Sequence, residues 1–538
     1  MPCDFHIKLS SDLDVNAQFA GNYQTYRLTH QMLFLDHLLL VAGQLAAALP
    51  ATRAHAISRS HMVRTVVATD MEQDDLASLV RYLLYTNELD TQGIIYTASR
   101  YHWAGDGNGT RFFLPDREYK TPQWAWRWTG TRTIQDKVLK AYADVWPNLN
   151  CHDPFYPTPD ELLATVKIGN IDFEGEMEHD TDGSNLIRSL LLDEDPRPLY
   201  LQAWGGTNTI ARSLKAIEEQ HSGSQQWNKT KEMVSRKAVI MASGFQDETY
   251  ANYIARNWPK IRVEELSAGY KTWGYNCRGQ GNIRGYPDDE KYFSGDWIKA
   301  NIETGPYGKL YRSWLDGQSM PGDSMDMFGN VTESNSTSAW CKPTGPYGFL
   351  SEGDNVVYNP LLTTGLQDPE NPNLGGWGGR VKQNTASPNL WEMVGTEKNY
   401  AGVDIANYTT NRWAAAVQND FAARMQWTLT ANYTRANHAL MVECLNGTTV
   451  TAHPGQTVRL VGAVSDPDLD EVSTTWWQFF EEGTYPGAVT VTENGNHTAD
   501  VEIPADAKPG QTISMILQGT DNGQFPLTRY SRSFIHVI

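Results

Sequence analysis

Cysteine is scarce in this 538-residue chain, with five in all. No Cys-x-x-Cys spacing occurs, which argues against a zinc ribbon or a thioredoxin-type redox centre. Positive charge is short as well: 44 Lys and Arg stand against 63 Asp and Glu, a formal net charge of −19. Such a chain repels phosphate backbones and anionic lipid, so nucleic acid and membrane surfaces are disfavoured as partners. Long apolar runs are missing except for Met32 to Leu49. Asp36 and His37 interrupt that run, and it is too short for a comfortable membrane span. Low-complexity tracts and internal repeats are also missing.

The apolar run is followed by Ala54-His55-Ala56, a small-x-small cleavage pattern. Residues 1–56 therefore read as a leader that contains a secretory signal peptide. The nearest positive charge, Arg27, lies upstream of Met32, which points to an over-extended start over the first 31 residues. The bland alternative is a buried amphipathic helix. Eight Asn-x-Ser/Thr triplets begin at Asn108, Asn228, Asn330, Asn335, Asn407, Asn432, Asn446 and Asn496. Spread along the chain, they imply a secreted, extracellular glycoprotein. Cys3 would leave with the leader. Cys151, Cys277, Cys341 and Cys444 would remain, enough for two disulfides whose pairing the spacing does not settle.

What the chain does have is length, aromatic residues and an acidic cluster. Its length implies two or more domains. Aromatics make up 11%, with 18 Trp and 25 Tyr, which suits the stacking of apolar sugar faces; a Trp-rich core is the plain alternative. Thr65 to Thr69 is a short apolar strand, Leu76, Leu79, Val80, Leu83 and Leu84 recur at helical spacing on one face, and Gly93 to Thr97 is a second strand. That β-α-β unit implies a parallel sheet. It recurs at Leu199 to Ala203, with a helix from about Asn208, and at Ala238 to Ala242, with a helix from about Asp247. The fold class expected is α/β, an open and mostly parallel sheet over residues 62–430. Residues 274–400 read as long ordered loops over a site. Short strands near Thr457, Ser473 and Thr498 imply an all-β sandwich over 437–538.

Asp70-Met71-Glu72-Gln73-Asp74-Asp75 lies where the first strand ends and its helix begins. Ligands of open α/β sheets bind at the carboxyl ends of strands. Four carboxylates there repel one another unless a cation neutralises them, and hard oxygen donors favour Ca²⁺, with Mg²⁺ the weaker candidate. A helix-capping acidic run would explain Asp74 or Asp75, but not Asp70 and Glu72 as well.

An apolar strand, Asp-x-x-x-Asp-Asp and an apolar helix resemble the signature of inosine-uridine-type nucleoside hydrolases. The resemblance implies that Asp70 and Asp75 bind Ca²⁺ and that Asp74 holds sugar hydroxyls; in a hydrolase of this kind Asp70 is the expected general base. Ala203-Trp204-Gly205-Gly206-Thr207-Asn208 is similar to the family's metal-binding turn and implies Asn208 as the carbonyl donor. Ser351-Glu352-Gly353-Asp354 is similar to the segment that supplies the last carboxylate, Asp354. Gly353 stands where that family often has a base-protonating His, which argues against a nucleoside as substrate. A closer resemblance runs from about Val63 to the C-terminus. It is carried by Arg81 to Asn87, Gly375 to Arg380, Ser465-Asp466-Pro467-Asp468, Trp476-Trp477-Gln478 and Thr520 to Gly523. It is to secreted cellulose-binding proteins with a nucleoside-hydrolase-like domain.

Three functions follow as expectations. The first is a Ca²⁺-dependent glycoside hydrolase on an oligo- or polysaccharide-derived glycoside, with Glu352 or Glu72 as proton donor. The second is a non-catalytic carbohydrate-binding protein. The third is a secreted nucleoside hydrolase. Glu72, Arg100, Asn208 and Gln246 are further substrate-contact candidates, with His102 and Trp103 beside Arg100. A surface salt bridge is an equal reading of Arg100, and an N-cap is the preferred reading of Asp247. Trp273, Trp377 and Tyr358 default to core. Asp466, Asp468 and Asp470 suggest either a Ca²⁺ site or a polar turn. The oligomeric state is left open.

Overall fold

Val66 and Val67 sit side by side in a seven-residue strand, yet they enter two different hydrophobic clusters on opposite faces of one sheet. Strands buried on both faces in this way belong to parallel sheets covered by helices. The computed structural model describes residues 61–274, 286–314, 317–318, 320–323, 350, 352–398 and 402–538. The expected leader, Cys3, Cys277, Cys341, Asn330, Asn335 and Ser351 lie outside them. Val63–Ile538 forms one compact unit.

That first strand is β1 (Val63–Thr69), followed by helix α1 (Gln73–Leu83) and β2 (Leu89–Tyr96). Next come α2 (Lys140–His152), β3 (Val166–Ile168), α3 (Asp182–Leu192), β4 (Leu199–Ala203), α4 (Asn208–His221), α5 (Trp227–Lys237), β5 (Ala238–Ala242) and β6 (Arg262–Glu265). Strands β7 (Val381–Gln383) and β8 (Leu390–Met393) complete an eight-stranded sheet of order β3-β2-β1-β4-β5-β6-β8-β7. Every pairing is parallel except β7 with β8. The strand order reverses between β1 and β4, and loops leaving such a switch point open a crevice at the carboxyl edge.

Three expectations change. The helix α1 does not present a single apolar face: all of Gln73 to Leu83 is buried, because later segments cover its outer side. Residues 274–400 are more than loops, since they supply β7 and β8. The helix expected from Asp247 begins at Tyr250, as a π-type turn (Tyr250–Ile254) that runs into Ala255–Asn257. The Asp247 carboxylate instead accepts from the backbone N–H of Thr249 at 2.9 Å and of Asn208 at 3.0 Å, so it also caps α4.

After a small β9 (Thr396–Lys398) and β10 (Asp404–Ala406) pair, α6 (Ala414–Trp427) leads to the C-terminal strands. These are β11 (Met441–Cys444), β12 (Thr449–Ala452), β13 (Thr457–Ser465), β14 (Ser473–Gln478), β15 (Thr490–Gly495), β16 (Thr498–Glu502), β17 (Thr512–Thr520) and β18 (Thr528–Val537). They form two four-stranded sheets, β11-β13-β16-β15 and β12-β18-β17-β14, enclosing their own core around Leu460, Trp476, Val501 and Leu517. Successive strand residues point to opposite faces. Trp477 therefore turns away from that core and meets Trp413 at 6.2 Å between centroids. Phe479, Ile516 and Tyr530 join the large core of the α/β body.

Cys444 is a buried free thiol, so the four cysteines after the leader do not form two disulfides. Asn407 is 6% exposed, so its triplet cannot present a glycan. Asn108, Asn228, Asn432, Asn446 and Asn496 are exposed. Trp273, Trp377 and Tyr358 are core residues. No helix among the described residues is long and apolar enough to cross a membrane.

Candidate functional site at the carboxyl edge of the sheet

The acidic loop leaves β1 through a strained residue. Met71 has φ +53°, a left-handed value that costs a side-chain-bearing residue energy and recurs at functional sites. The strain is held by the Thr69 hydroxyl, which accepts from the Met71 N–H at 2.9 Å, and by Thr129, which donates to the Met71 carbonyl at 3.0 Å. Its effect is to turn Asp70 and Glu72 onto the same edge as the first turn of α1.

The carboxylates are not helix caps. Glu72 occupies the N-cap position of α1, yet its side chain makes no capping bond. It pairs with His102 at 3.1 Å and lies 4.0 Å from Arg127. Burial opposes its charge, but His102 and then Arg127 outweigh burial and hold the acid down at about 2. The same pairing lifts the buried His102 to about 9. Glu72 is thus held toward its anionic form by His102 and Arg127.

Asp70 is 1% exposed, and neither oxygen has a partner in hydrogen-bond geometry, although Ser99 lies close by. Asp74 Oδ1 is likewise buried without a partner. Asp75 accepts from the Thr69 hydroxyl, and Asp354 Oδ2 accepts from Ser78 at 3.5 Å. Burial pushes all four acids upward, and neighbouring carboxylates push Asp74, Asp75 and Asp354 further. Carboxylates buried together without donors are unstable unless a cation or protons neutralise them. The donor atoms are all oxygen, which fits a hard divalent cation. One oxygen each from Glu72, Asp74 and Asp75 lies within 4.8 Å of the others, a tighter group than the expected set of Asp70, Asp75 and Asp354.

Two glycines shape the site. A β-carbon on Gly205, in the turn after β4, would meet the Asp70 Cβ and Cγ at 3.0 Å. Only glycine lets that backbone reach Asp70. A β-carbon on Gly353 would lie 2.5 Å from both Asp74 Oδ2 and the Tyr270 ring, so no larger side chain fits there as placed.

Other expected residues are placed elsewhere. Glu352 is fully buried and paired with Arg81 at 2.7 Å. It also accepts from the Tyr311 hydroxyl at 2.6 Å and the Tyr358 hydroxyl at 3.3 Å. Its oxygens are committed to α1 and the core. The Asn208 side chain accepts from Thr97 at 2.7 Å and donates to the carbonyls of Asn170 at 2.8 Å and Glu176 at 3.0 Å. Its side chain thus staples the loops after β2 and β3, while the expectation for this residue concerns its backbone carbonyl. It is the Trp204–Gly205 peptide that abuts Asp70. Gln246 donates to the Trp204 carbonyl at 2.6 Å. Arg100 makes a 3.4 Å salt bridge to Glu248 on the surface. The sequence reading missed the His102–Glu72 pair. It also missed two buried amides in the same neighbourhoods, Gln73 and Asn355, whose polar atoms lack partners. Their polar character beside the Asp residues was the available signal.

A parallel sheet with carboxylates gathered at its switch point, followed by a β-sandwich, defines a nucleoside-hydrolase-like α/β protein. The chain belongs to the family described as cellulose-binding Sde182, nucleoside hydrolase-like domain, whose profile matches residues 64–381. The profile of the Sde0182 C-terminal domain matches residues 457–537. A nucleoside hydrolase-related protein of Saccharophagus degradans, associated with carbohydrate metabolism, is 25% identical. It aligns at a TM-score of 0.64 over 89% of this chain and 100% of that one. A plant nucleoside hydrolase aligns at 10% identity and TM-score 0.32, over 69% of this chain and 99% of that one, too weakly to carry an argument. No curated protein matches.

Proposed function

We propose that this is a secreted, glycosylated, carbohydrate-active protein that holds Ca²⁺ at the β1–α1 carboxylates and hydrolyses a glycosidic bond. The observation that carries this is Asp70: fully buried, unpartnered at both oxygens, and surrounded by Asp74, Asp75 and Asp354. Asp70, Asp75 and Asp354 would hold the ion. When bound, it supplies electrostatic pull on sugar hydroxyls and lowers the pKa of a water. The second oxygen of Asp70 is free to take the proton of an attacking water, and the same proton, handed on to the departing oxygen as the glycosidic C–O bond breaks, balances the hydrolysis. Asp74 Oδ1 is free to accept sugar hydroxyls. Glu72, locked by His102 and Arg127, keeps the loop in shape, and the Asp carboxylates beside it suit an oxocarbenium-like transition state. The packing of Gly353 against Tyr270 leaves no room for a base-protonating His, which favours a sugar over a nucleoside.

One observation favours a second reading. Both expected proton donors are committed to ion pairs, so an intact metal site could serve carbohydrate binding alone. The family's description as cellulose-binding supports carbohydrate as the partner in either reading.

The test is Ca²⁺ titration into EDTA-stripped protein beside the Asp70→Ala/Asp75→Ala variant, with sugar release measured from plant and microbial glycans. The expected result is one binding event lost in the variant, and sugar release that Asp70→Asn and Asp354→Ala abolish while the circular dichroism stays native. Sugar release by Asp70→Asn would overturn the catalytic reading. Retention on cellulose without sugar release would establish the second. N-terminal sequencing of medium-derived protein and a glycosidase mobility shift test secretion and glycosylation.

A further inference from the structure

The turn between β13 and β14 carries four carboxylates, and three of them, Asp466, Asp468 and Asp470, bring one oxygen each within 4.8 Å of the others. Acidic turns are ordinary, because carboxylates close turns by accepting backbone N–H groups. Part of this one does so: Asp466 Oδ1 accepts from the N–H of Asp468 at 2.8 Å and of Asp470 at 3.0 Å. Turn chemistry does not account for the rest. Asp466 Oδ2 is buried and has no partner.

Two further segments bring unpartnered oxygens to the same place. Asp521, in the turn after β17, is only 4% exposed. Its Oδ1 accepts from Asn437 Nδ2 at 3.0 Å, from the Gly523 N–H at 3.0 Å and from the Leu527 N–H at 3.1 Å, while its Oδ2 is buried with no donor. Asn437, just before β11, is 5% exposed, and its Oδ1 is also buried without a partner. A β-carbon on Gly523 would lie 2.4 Å from both Asp470 Oδ2 and Asn437 Nδ2, so Asp470 faces the amide nitrogen by which Asn437 holds Asp521. Burial raises both Asp466 and Asp521, and Asp470 repels Asp521 in addition. Among the described residues, no Lys or Arg pairs with Asp466, Asp470 or Asp521. The ring of His438 reaches only Asp468, at 3.0 Å.

Buried acceptors that converge without donors are the complement of a cation, and an all-oxygen set of carboxylates is the kind Ca²⁺ takes. We propose that Asp466, Asp470 and Asp521 form a second Ca²⁺ site, with Asn437 positioning Asp521 and Asp468 between the ion and His438. This site is separate from the β1–α1 carboxylates and does not depend on them. Its place assigns it a task. His438 stacks on Tyr433 at 3.6 Å and meets His152 of α2 across a 2.9 Å ring-nitrogen contact, while Trp427 of α6 donates to the Asn437 carbonyl at 2.9 Å. An ion here ties the turns of the sandwich to the segment that docks it on the α/β body.

The experiment is calorimetric titration of Ca²⁺ into the EDTA-stripped full chain carrying Asp70→Ala/Asp75→Ala, with melting followed in parallel. One ion should still bind and raise the melting temperature. Adding Asp470→Asn should weaken that binding at least tenfold, and adding Asp466→Asn/Asp521→Asn should abolish it. Asp470 is partly exposed and accepts no hydrogen bond from the protein, so its Asn variant keeps the fold. The same substitution in otherwise wild-type protein should remove one binding event, which frees the result from any effect of the first-site changes. The proposal is overturned if the Asp70→Ala/Asp75→Ala protein neither binds Ca²⁺ nor is stabilised by it. It is equally overturned if the Asp470→Asn and Asp466→Asn/Asp521→Asn proteins bind as their parent does.

Discussion

Alanine at position 353 would drive its methyl group toward the Asp74 carboxylate and the Tyr270 ring, each 2.5 Å away. Overpacking of this kind costs about 1–3 kcal/mol. Gly353→Ala should therefore lower stability by that amount in urea unfolding and, by displacing Asp74, weaken retention on carbohydrate more than Ca²⁺ binding. Glu352 makes the opposite kind of test. Removing it strands Arg81, which is completely buried, and breaking such a pair costs about 3–5 kcal/mol. Glu352→Ala should show that loss in unfolding, and Arg81→Met/Glu352→Leu should recover most of it. A proton donor would behave differently, losing turnover with stability intact. The acidic run was legible because four carboxylates in six residues have few structural uses. The Arg81–Glu352 and His102–Glu72 pairs were not, because they join residues 271 and 30 positions apart and no local spacing records them.

At the scale of elements, strand and helix positions in the first half followed from periodicity. β1, β4, β5 and the start of α4 lie where the apolar runs put them. Periodicity failed where tertiary contacts decide the outcome. The polar side of α1 reads as a solvent face until α6 and the segment around Asn355 cover it. β7 and β8 are three and four residues long, too short to announce themselves among glycines and prolines. The sandwich was visible as an all-β segment, but its attachment was not. Trp413 is 4% exposed, within 6.2 Å of Trp477, 6.0 Å of Phe479 and 5.6 Å of Tyr530. Truncating a buried Trp costs about 3–5 kcal/mol. The wild type should unfold in urea in one transition, followed by tryptophan fluorescence and circular dichroism together. Trp413→Ala should split the two signals and open the chain to protease near residues 430–437.

For the whole molecule, acid should act through His152. Burial first, and then the neighbouring His438, depress it from 6.5 to about 4. It stays neutral in the fold, accepting at Nδ1 from His438 and donating from Nε2 to the Thr430 carbonyl at 2.7 Å. Unfolded, it would protonate at its ordinary value. Between about pH 6.5 and 4 the unfolded chain therefore binds the extra proton, and stability falls as pH falls, by up to about 3 kcal/mol from this group. Urea midpoints should drop across that window, and His152→Gln should flatten the slope.

The core shared by sheet and sandwich also dictates an order of assembly. Tyr530 follows every other residue of that core along the chain, and its strand β18 lies between β12 and β17. A polypeptide leaving the ribosome has thus made all eight strands of the large sheet, and Trp413 as well, before the piece that covers them exists. Until residue 530 emerges, the nascent protein carries an open apolar face, and its passage through synthesis depends on something else shielding it.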